Sequence, residues 1–149
     1  MGERDERVRG SYSPFTLIIV GCNLGMNQQP TIYELAGGDA PFRRLIDAFY
    51  ARVEHEPLLR PLYPANLAAS KEHLFLFVTQ YFGGPPRYNA LRGHPRLRMR
   101  HAPFRLDEAA RNRWVALMDR ALDGAQLPEA AVQVLRPFFH EVATFLRNT

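Results

Sequence analysis

The sequence predicts an all-α fold, on three observations. From Thr31 onward the apolar residues recur at three-and-four spacing, which is the period of one helix face. No segment shows the strict alternation of a β-strand, and there is neither an internal repeat nor a low-complexity stretch. Glycine and proline punctuate the helical segments at plausible ends. The 149 residues suit one domain with its own hydrophobic core.

The first two predicted helices follow each other closely. "TIYELAGG" forms a short helix that the pair Gly37 and Gly38 stops. Asp39 caps the next helix, with Pro41 just inside it. "EPLLRPLYP" is then a short piece broken by prolines. The second helix has one broad apolar face, made by Phe42, Leu45, Ile46, Phe49, Tyr50 and Val53.

The middle of the chain contains one clear helix and one short one. Ser70 caps "KEHLFLFVTQYF", which ends at the Gly83-Gly84-Pro85 turn. "PRYNALRG" has the composition of a loop. A short helix that begins at Pro95 fits "PRLRMRH", and Pro103 ends it.

Two long helices complete the fold. Asp107 caps a helix that runs to about Leu122, where Gly124 follows and breaks it. Pro128 opens a last helix that continues through Leu146. The sequence therefore predicts about six helices, some of them very short.

The first 30 residues differ from the rest of the chain. They combine a mixed-charge start with a short apolar run, and we interpret residues 1–30 as a poorly ordered leader before a domain over residues 31–149. "IVGC" also resembles a bacterial lipobox with Cys22 as the acylated residue, but the apolar run before it is short. A single cysteine excludes an intramolecular disulfide, and no apolar run is long enough for a bilayer. We expect a cytoplasmic protein that has no membrane partner.

The positive charge is concentrated in one segment. Residues 87–105 contain six arginines and no acid, whereas the rest of the chain carries 13 basic and 15 acidic residues. This distribution points to an anionic partner at one place on the surface. Carboxylates of a cofactor, phosphates of a nucleic acid, and plain solvation of a helix face are the three explanations to weigh.

His101 lies at the end of the short arginine-rich helix. One turn earlier is Leu97 and Phe104 is close by, so the imidazole shares an apolar face, while the arginines point elsewhere. A neutral imidazole in that position suits an axial haem ligand, if an acceptor fixes its other nitrogen. A core histidine bonded to a carbonyl is the more common arrangement, and the residues alone favour it.

Other chemistry finds little support in the residues. His94 and His101 do not form a zinc-protease motif, and one cysteine excludes cysteine-rich zinc sites. There is no dinucleotide-binding or P-loop motif. Tyr50, Tyr63 and Trp114 are either core residues with satisfied polar tips or groups that converge on a bound ligand.

Four motifs together carry a resemblance to a known family. They are "YELAGG", "FRRLIDAFYARVEHEPLLRPLYP", "QYFGGPPRY" and above all "RGHPRLRMRHAPFR", with Trp114 following. On these motifs the chain resembles the group II truncated haemoglobins from about Ile32 to Leu122, with a weaker fit through the last helix. The resemblance implies a two-over-two helical sandwich around haem b, iron protoporphyrin IX. The family's helices B, E, G and H would fall at about 40–54, 70–82, 107–123 and 129–147.

The resemblance also implies roles for individual residues. His101 would be the proximal ligand, bonded to iron through Nε2, and His94 the other histidine of the motif. Across the haem, Tyr50, Tyr63 and Trp114 would surround the bound ligand, with the Trp114 indole N–H directed at it. Ser70 would take the distal position where many globins carry histidine, although "YPANL" is one residue shorter than the usual loop. The other haem contacts would be the apolar Leu74, Phe77, Leu97 and Phe104 and the propionate partners Arg100, Tyr88 and Arg98.

These roles predict a haem protein that binds O₂, CO or NO. Donors around the bound ligand slow its release, which suits redox chemistry such as NO detoxification or peroxidase-like turnover more than bulk oxygen transport. Such turnover requires a separate reductase, and a homodimer is compatible with the resemblance. The alternative is a small helical nucleic-acid-binding module that uses residues 87–105, although we expect no nucleic-acid partner. An absorption spectrum distinguishes the two.

Overall fold

The structure is a computed structural model that describes residues 29–149, and the predictions for the leader and for Cys22 lie outside the described residues. Helices and one 3₁₀ turn, without any strand, make up the regular structure of this part of the chain, which confirms the all-α prediction. The elements are α1 (Ile32–Ala36), α2 (Asp39–Val53), the 3₁₀ turn Arg60–Leu62, α3 (Ala68–Tyr81), α4 (Arg87–Arg92), α5 (Leu97–His101), α6 (Glu108–Gly124) and α7 (Glu129–Leu146).

Two pairs of long helices build the fold. Helix α2 packs against both α3 and α6, and α6 packs against α7, so the pair α2/α3 lies over the pair α6/α7. The predicted apolar face of α2 is buried in full, and α7 buries residues at the same helical spacing. The two-over-two sandwich is confirmed. None of the helices within residues 29–149 combines the length and the apolar character required to cross a bilayer.

Of the three predicted helix caps, Asp107 is correct and Asp39 and Ser70 are wrong, and the structure adds a cap at Thr31 that the sequence analysis did not predict. The Thr31 hydroxyl accepts from the Glu34 backbone N–H, and the Asp107 carboxylate accepts from the Ala110 N–H at 2.9 Å. Asp39 instead begins α2, and its carboxylate accepts from the Tyr33 hydroxyl and the Arg87 guanidinium. Ser70 lies in the first turn of α3, which begins two residues earlier, at Ala68.

The segment around "PRYNALRG" is a helix and not the predicted loop. Helix α4 covers Arg87–Arg92, and the reason is tertiary, because Tyr88 is buried in the core whereas the other apolar residues of the helix, Ala90 and Leu91, are exposed. Helix α5 begins at Leu97 and not at Pro95, because Arg96 has a left-handed backbone with φ of 43°. The remaining helix ends agree with the expected positions to within two residues.

Gly83 marks the corner that brings α4 beneath α3. Its φ is +97°, and a Cβ at this position would collide with the Thr31 side chain. The "QYFGGPPRY" motif therefore has a steric basis, because the chain can turn this tightly only with glycine. Arg87 then pairs with Asp39 at 2.7 Å, which fixes the start of α4 against α2 and places Tyr88 in the core.

Candidate functional site

A cavity of about 420 Å³ lies between the two helix pairs. Leucine, phenylalanine, valine and alanine side chains make up most of its lining, so the space is predominantly apolar. A cavity of this size and character is typical of a site for a cofactor or a small molecule. The structure places eleven of the residues predicted from the sequence in its lining: Tyr50, Tyr63, Ser70, Leu74, Phe77, Tyr88, Leu97, Arg100, His101, Phe104 and Trp114.

His101 supplies the imidazole on one wall of the cavity. It is the last residue of α5, and its Nδ1 lies 2.6 Å from the Leu97 carbonyl oxygen, one turn earlier. A carbonyl only accepts, so Nδ1 carries a proton and donates it, and in the neutral form of the ring Nε2 then has the lone pair. Nε2 has no hydrogen-bond partner among residues 29–149. The imidazole is therefore prepared as a neutral metal ligand through Nε2.

Polar aromatic side chains form another wall. The Trp114 indole N–H donates to the Tyr63 hydroxyl oxygen at 3.3 Å, and the rings of Tyr50 and Tyr63 meet edge to face at 5.7 Å. The Tyr50 hydroxyl has no hydrogen-bond partner in the part of the chain that is described. Thus the Trp114 N–H, which the resemblance directs at the ligand, is bonded to Tyr63 here. The hydroxyl protons of Tyr50 and Tyr63 remain to be donated.

Burial keeps both tyrosines in the protonated form. Desolvation raises the pKa of Tyr50 well above its ordinary value, and the neighbouring Tyr63 raises it further. Burial raises the pKa of Tyr63 to about 12, although the hydrogen bond from Trp114 opposes this shift. Both hydroxyls are therefore donors throughout the physiological pH range.

Three basic side chains line one edge of the cavity. They are His73, Arg92 and Arg100. Desolvation lowers the pKa of His73 most, and the positive charges of the nearby Arg92 and Arg100 lower it further. All three are partly exposed, so anionic groups of a cofactor could meet them while remaining near solvent. The sequence prediction included Arg100 but missed His73 and Arg92. The sequence could have indicated His73, because helical spacing places it on the same face as the predicted cavity residues Ser70, Leu74 and Phe77.

Two of the predicted propionate partners have other contacts. The Arg100 guanidinium lines the cavity but also donates to the backbone carbonyls of Pro95 at 2.9 Å and Arg92 at 3.2 Å. Arg98 does not line the cavity, and its guanidinium stacks 4.0 Å from the centre of the Phe145 ring. Arg98 thus lies outside the cavity lining, whereas Tyr88 is buried beside the cavity.

The residues present fit a haem. An apolar slot suits the porphyrin, an imidazole with a free Nε2 suits the iron, and a basic edge suits two carboxylates. Among residues 29–149, no three histidine, cysteine, aspartate or glutamate side chains cluster as a metal site. One imidazole is an incomplete ligand set for a bare ion, but it is sufficient for an iron that a macrocycle already holds.

Comparison with known proteins leads to the same family. The family model for bacterial-like globins matches residues 31–148. The group 2 truncated hemoglobin YjbI of Bacillus subtilis is 41% identical over 86 residues, which cover 58% of this chain and 65% of that protein. The chain thus spans less than two thirds of that relative's length.

Solved structures agree with this similarity. A hemoglobin from the thermophilic bacterium Chloroflexus aurantiacus superposes with a TM-score of 0.80 at 52% identity, covering 81% of this chain and all of that one. The group II truncated hemoglobin of Bacillus anthracis superposes with a TM-score of 0.79 at 32% identity, covering 83% of this chain and 95% of that one. The chain belongs to the bacterial-like globin family and is a group II truncated haemoglobin, which implies binding of haem and of a small diatomic ligand.

Proposed function

We propose that the chain binds haem b through His101 and accepts O₂, CO or NO on the opposite side of the cavity. The observation that carries the proposal is the His101 imidazole, whose Nδ1 is fixed by the Leu97 carbonyl and whose Nε2 is free. When bound, the haem would supply an iron with one position open to a diatomic ligand. Leu74, Phe77, Leu97 and Phe104 would pack against the porphyrin.

We assign the propionates to the basic edge of the cavity. Arg100 and Tyr88 were predicted from the sequence, and Arg92 and His73 join them on the same side. Guanidinium groups pair well with carboxylates, so this edge can hold the haem in one orientation. Arg98 is not included, because it stacks on Phe145 and lies outside the cavity lining.

Tyr50 and Tyr63 would donate hydrogen bonds to the bound ligand, and Trp114 would support Tyr63. Their raised pKa values keep both protons in place, and Ser70 adds a small polar side chain to the same cavity. Hydrogen bonds from preorganised donors to a partly negative ligand slow its release. We infer that the protein retains O₂ long enough for redox use, with NO detoxification or peroxidase-like turnover as the candidate reactions.

Such turnover requires electrons from a separate reductase, because the chain's own residues offer no redox carrier for this purpose. We include a cytoplasmic location, where a separate reductase would be available, in the same proposal. A homodimer is compatible with it.

The absorption spectrum of the purified protein tests the proposal. We expect a Soret band, a pyridine haemochrome of haem b, and shifted spectra when the ferrous protein meets O₂ or CO. His101→Gly removes the imidazole and should lose haem or regain it when free imidazole is added. His55→Gly is the matched control and should retain the band, because His55 is exposed and does not line the cavity. A wild-type protein that stays colourless after haem addition would exclude the proposal.

The nucleic-acid alternative has less support from the described residues. Arg87 pairs with Asp39, Arg98 stacks on Phe145, and Arg100 bonds to backbone carbonyls. Phosphate contacts would have to compete with these interactions. Binding of this kind weakens steeply with added salt, so a titration of duplex and single-stranded DNA at low and high salt tests it directly.

A further inference from the structure

Asn148, the second residue after the last helix, reaches back to His101 and to the segment that follows it. The Asn148 side-chain amide donates to the Phe104 carbonyl at 2.9 Å and to the His101 carbonyl at 3.4 Å. Its side-chain oxygen accepts from the Leu106 backbone N–H at 3.0 Å, while the Asn148 backbone N–H donates to the Leu106 carbonyl at 2.9 Å. One side chain therefore bonds to three backbone groups within six residues of chain.

Helix α5 has few stabilising contacts of its own. It is only five residues long, and none of its residues is fully buried. An isolated helix of this length is far below the size that is stable in water. It begins after Arg96, whose backbone is left-handed and whose side chain makes no capping hydrogen bond. Its position must therefore be set by contacts from outside the helix.

Side chains hold α5 at both ends. At the start, Arg100 donates to the Pro95 and Arg92 carbonyls, and the His94 Nδ1 accepts from the Arg96 N–H at 3.2 Å. At the end, the His101 carbonyl accepts from the Phe104 N–H at 3.0 Å and from Asn148. The end of α5 is the part that bears the imidazole, and there Asn148 reaches it from beyond the last helix, while Arg98 within α5 stacks on Phe145 of α7.

We propose that Asn148 is a positioning residue for the proximal histidine, holding the end of α5 so that the His101 Nε2 is aimed into the cavity. The inference rests on the proposed function, because it takes His101 to be the iron ligand. Without the amide, the backbone at residues 101–106 would lose its connection to the chain end, and the imidazole could tilt about its bond to Leu97. A tilted imidazole makes a weaker bond to a metal.

Two substitutions separate the hydrogen bonds. Asn148→Asp keeps the oxygen that accepts from Leu106 but removes the N–H donor to His101 and Phe104, with almost no change in size. Asn148→Ala removes all the side-chain bonds and leaves the backbone bond. Thr149→Ala is the matched control, because it changes the neighbouring residue, whose side chain makes no hydrogen bond in the described part of the chain.

The readouts are the resonance Raman frequency of the iron–histidine bond in the ferrous protein and the rate of haem transfer to apomyoglobin. We expect both Asn148 variants to lower the frequency and to speed haem loss by roughly three- to tenfold, the effect of one or two lost hydrogen bonds. Thr149→Ala should match the wild type in both measurements. A purely structural role would lower the unfolding midpoint without moving the Raman band.

The outcomes are distinct from those that test the proposed function. If the wild-type protein binds haem through His101 but Asn148→Asp has an unchanged Raman band and haem-loss rate, the positioning role is wrong and the proposed function stands. If Asn148→Ala fails to fold, Asn148→Asp still decides the question. If the wild-type protein shows no iron–histidine band, both proposals fail together.

Discussion

Trp114 lines the cavity and is hydrogen-bonded to a second residue of the lining, Tyr63. Its indole N–H donates to the Tyr63 hydroxyl, while its ring packs on Phe49 and Phe139. A hydroxyl that accepts one hydrogen bond becomes a better donor in a second one, because the two bonds polarise each other. In the proposed site, Trp114 would thus strengthen Tyr63 as a donor to a ligand in the cavity. This differs from a direct bond between the indole and the ligand, and kinetics can distinguish the two.

Trp114→Phe should speed O₂ dissociation by roughly two- to tenfold, which corresponds to the loss of one hydrogen bond of about 0.5–1.5 kcal/mol. Phenylalanine keeps most of the ring packing, so the fold should remain. Stopped-flow replacement of O₂ by CO measures the rate. An unchanged rate would remove Trp114 from the ligand network.

The double variant identifies the route. If Trp114 acts only through Tyr63, then Tyr63→Phe with Trp114→Phe should release O₂ no faster than Tyr63→Phe alone. If the indole also meets the ligand directly, the two effects should multiply. The cycle therefore decides between the arrangement in this structure and the one that the resemblance implies.

Individual residues differ in how far the sequence could predict them. His101 could be found because a long motif surrounds it and because its neighbours at helical spacing are apolar. Arg98 could not be placed, since all the arginines of α5 look equivalent until the structure shows which of them meets Phe145. Asn148 lies 47 residues from His101, and nothing local in the sequence connects the two.

Whole helices also differ in how far the sequence could predict them. Helices α2, α6 and α7 have 15 to 18 residues, so their periodicity is repeated several times and could be recognised. Helix α4 has six residues, too few for a period to be recognised, and it forms because Tyr88 is buried by the rest of the protein. Short helices are made by tertiary contacts, and α4 and α5 supply Tyr88, Arg92, Leu97, Arg100 and His101 to the cavity lining.

The hydrogen bond at the start of α5 tests whether this short helix needs contacts from outside itself. His94 Nδ1 accepts the Arg96 N–H and so acts as a cap, with the left-handed Arg96 between it and the helix. His94→Asn retains an acceptor and should be close to the wild type. His94→Val removes it and should lower the free energy of unfolding by about 0.5–1 kcal/mol, the usual effect of a lost cap.

Guanidinium denaturation of the haem-loaded proteins measures this difference. Thr149→Ala again serves as the control for an exposed side chain without a hydrogen bond in the described residues. If His94→Val and His94→Asn have the same free energy of unfolding, the imidazole does not act as a cap.

At the scale of the whole molecule, the polar groups around the cavity affect stability as well as binding. The fold buries Tyr50 and partly buries Tyr63 beside a cavity, where their charged forms are strongly disfavoured. In the unfolded chain both titrate near pH 10. The native protein should therefore keep its stability below that pH and lose it as the pH rises, because the unfolded state releases protons that the folded state retains.

Tyr63 determines the pH range over which this stability is lost, because its pKa rises from 10.0 to about 12 on folding. Between these values each pH unit should lower the free energy of unfolding by about 1.4 kcal/mol for this one residue. Denaturation of the wild-type protein and of Tyr63→Phe at pH 8 and at a pH near 11 measures the effect. The variant should lose less stability over this interval, by about 1.4 kcal/mol, and other groups that titrate in the same range cancel in the difference. Equal losses in the two proteins would mean that Tyr63 ionises in the folded state as easily as in water, and its place as a protonated donor in the cavity would then have to be abandoned.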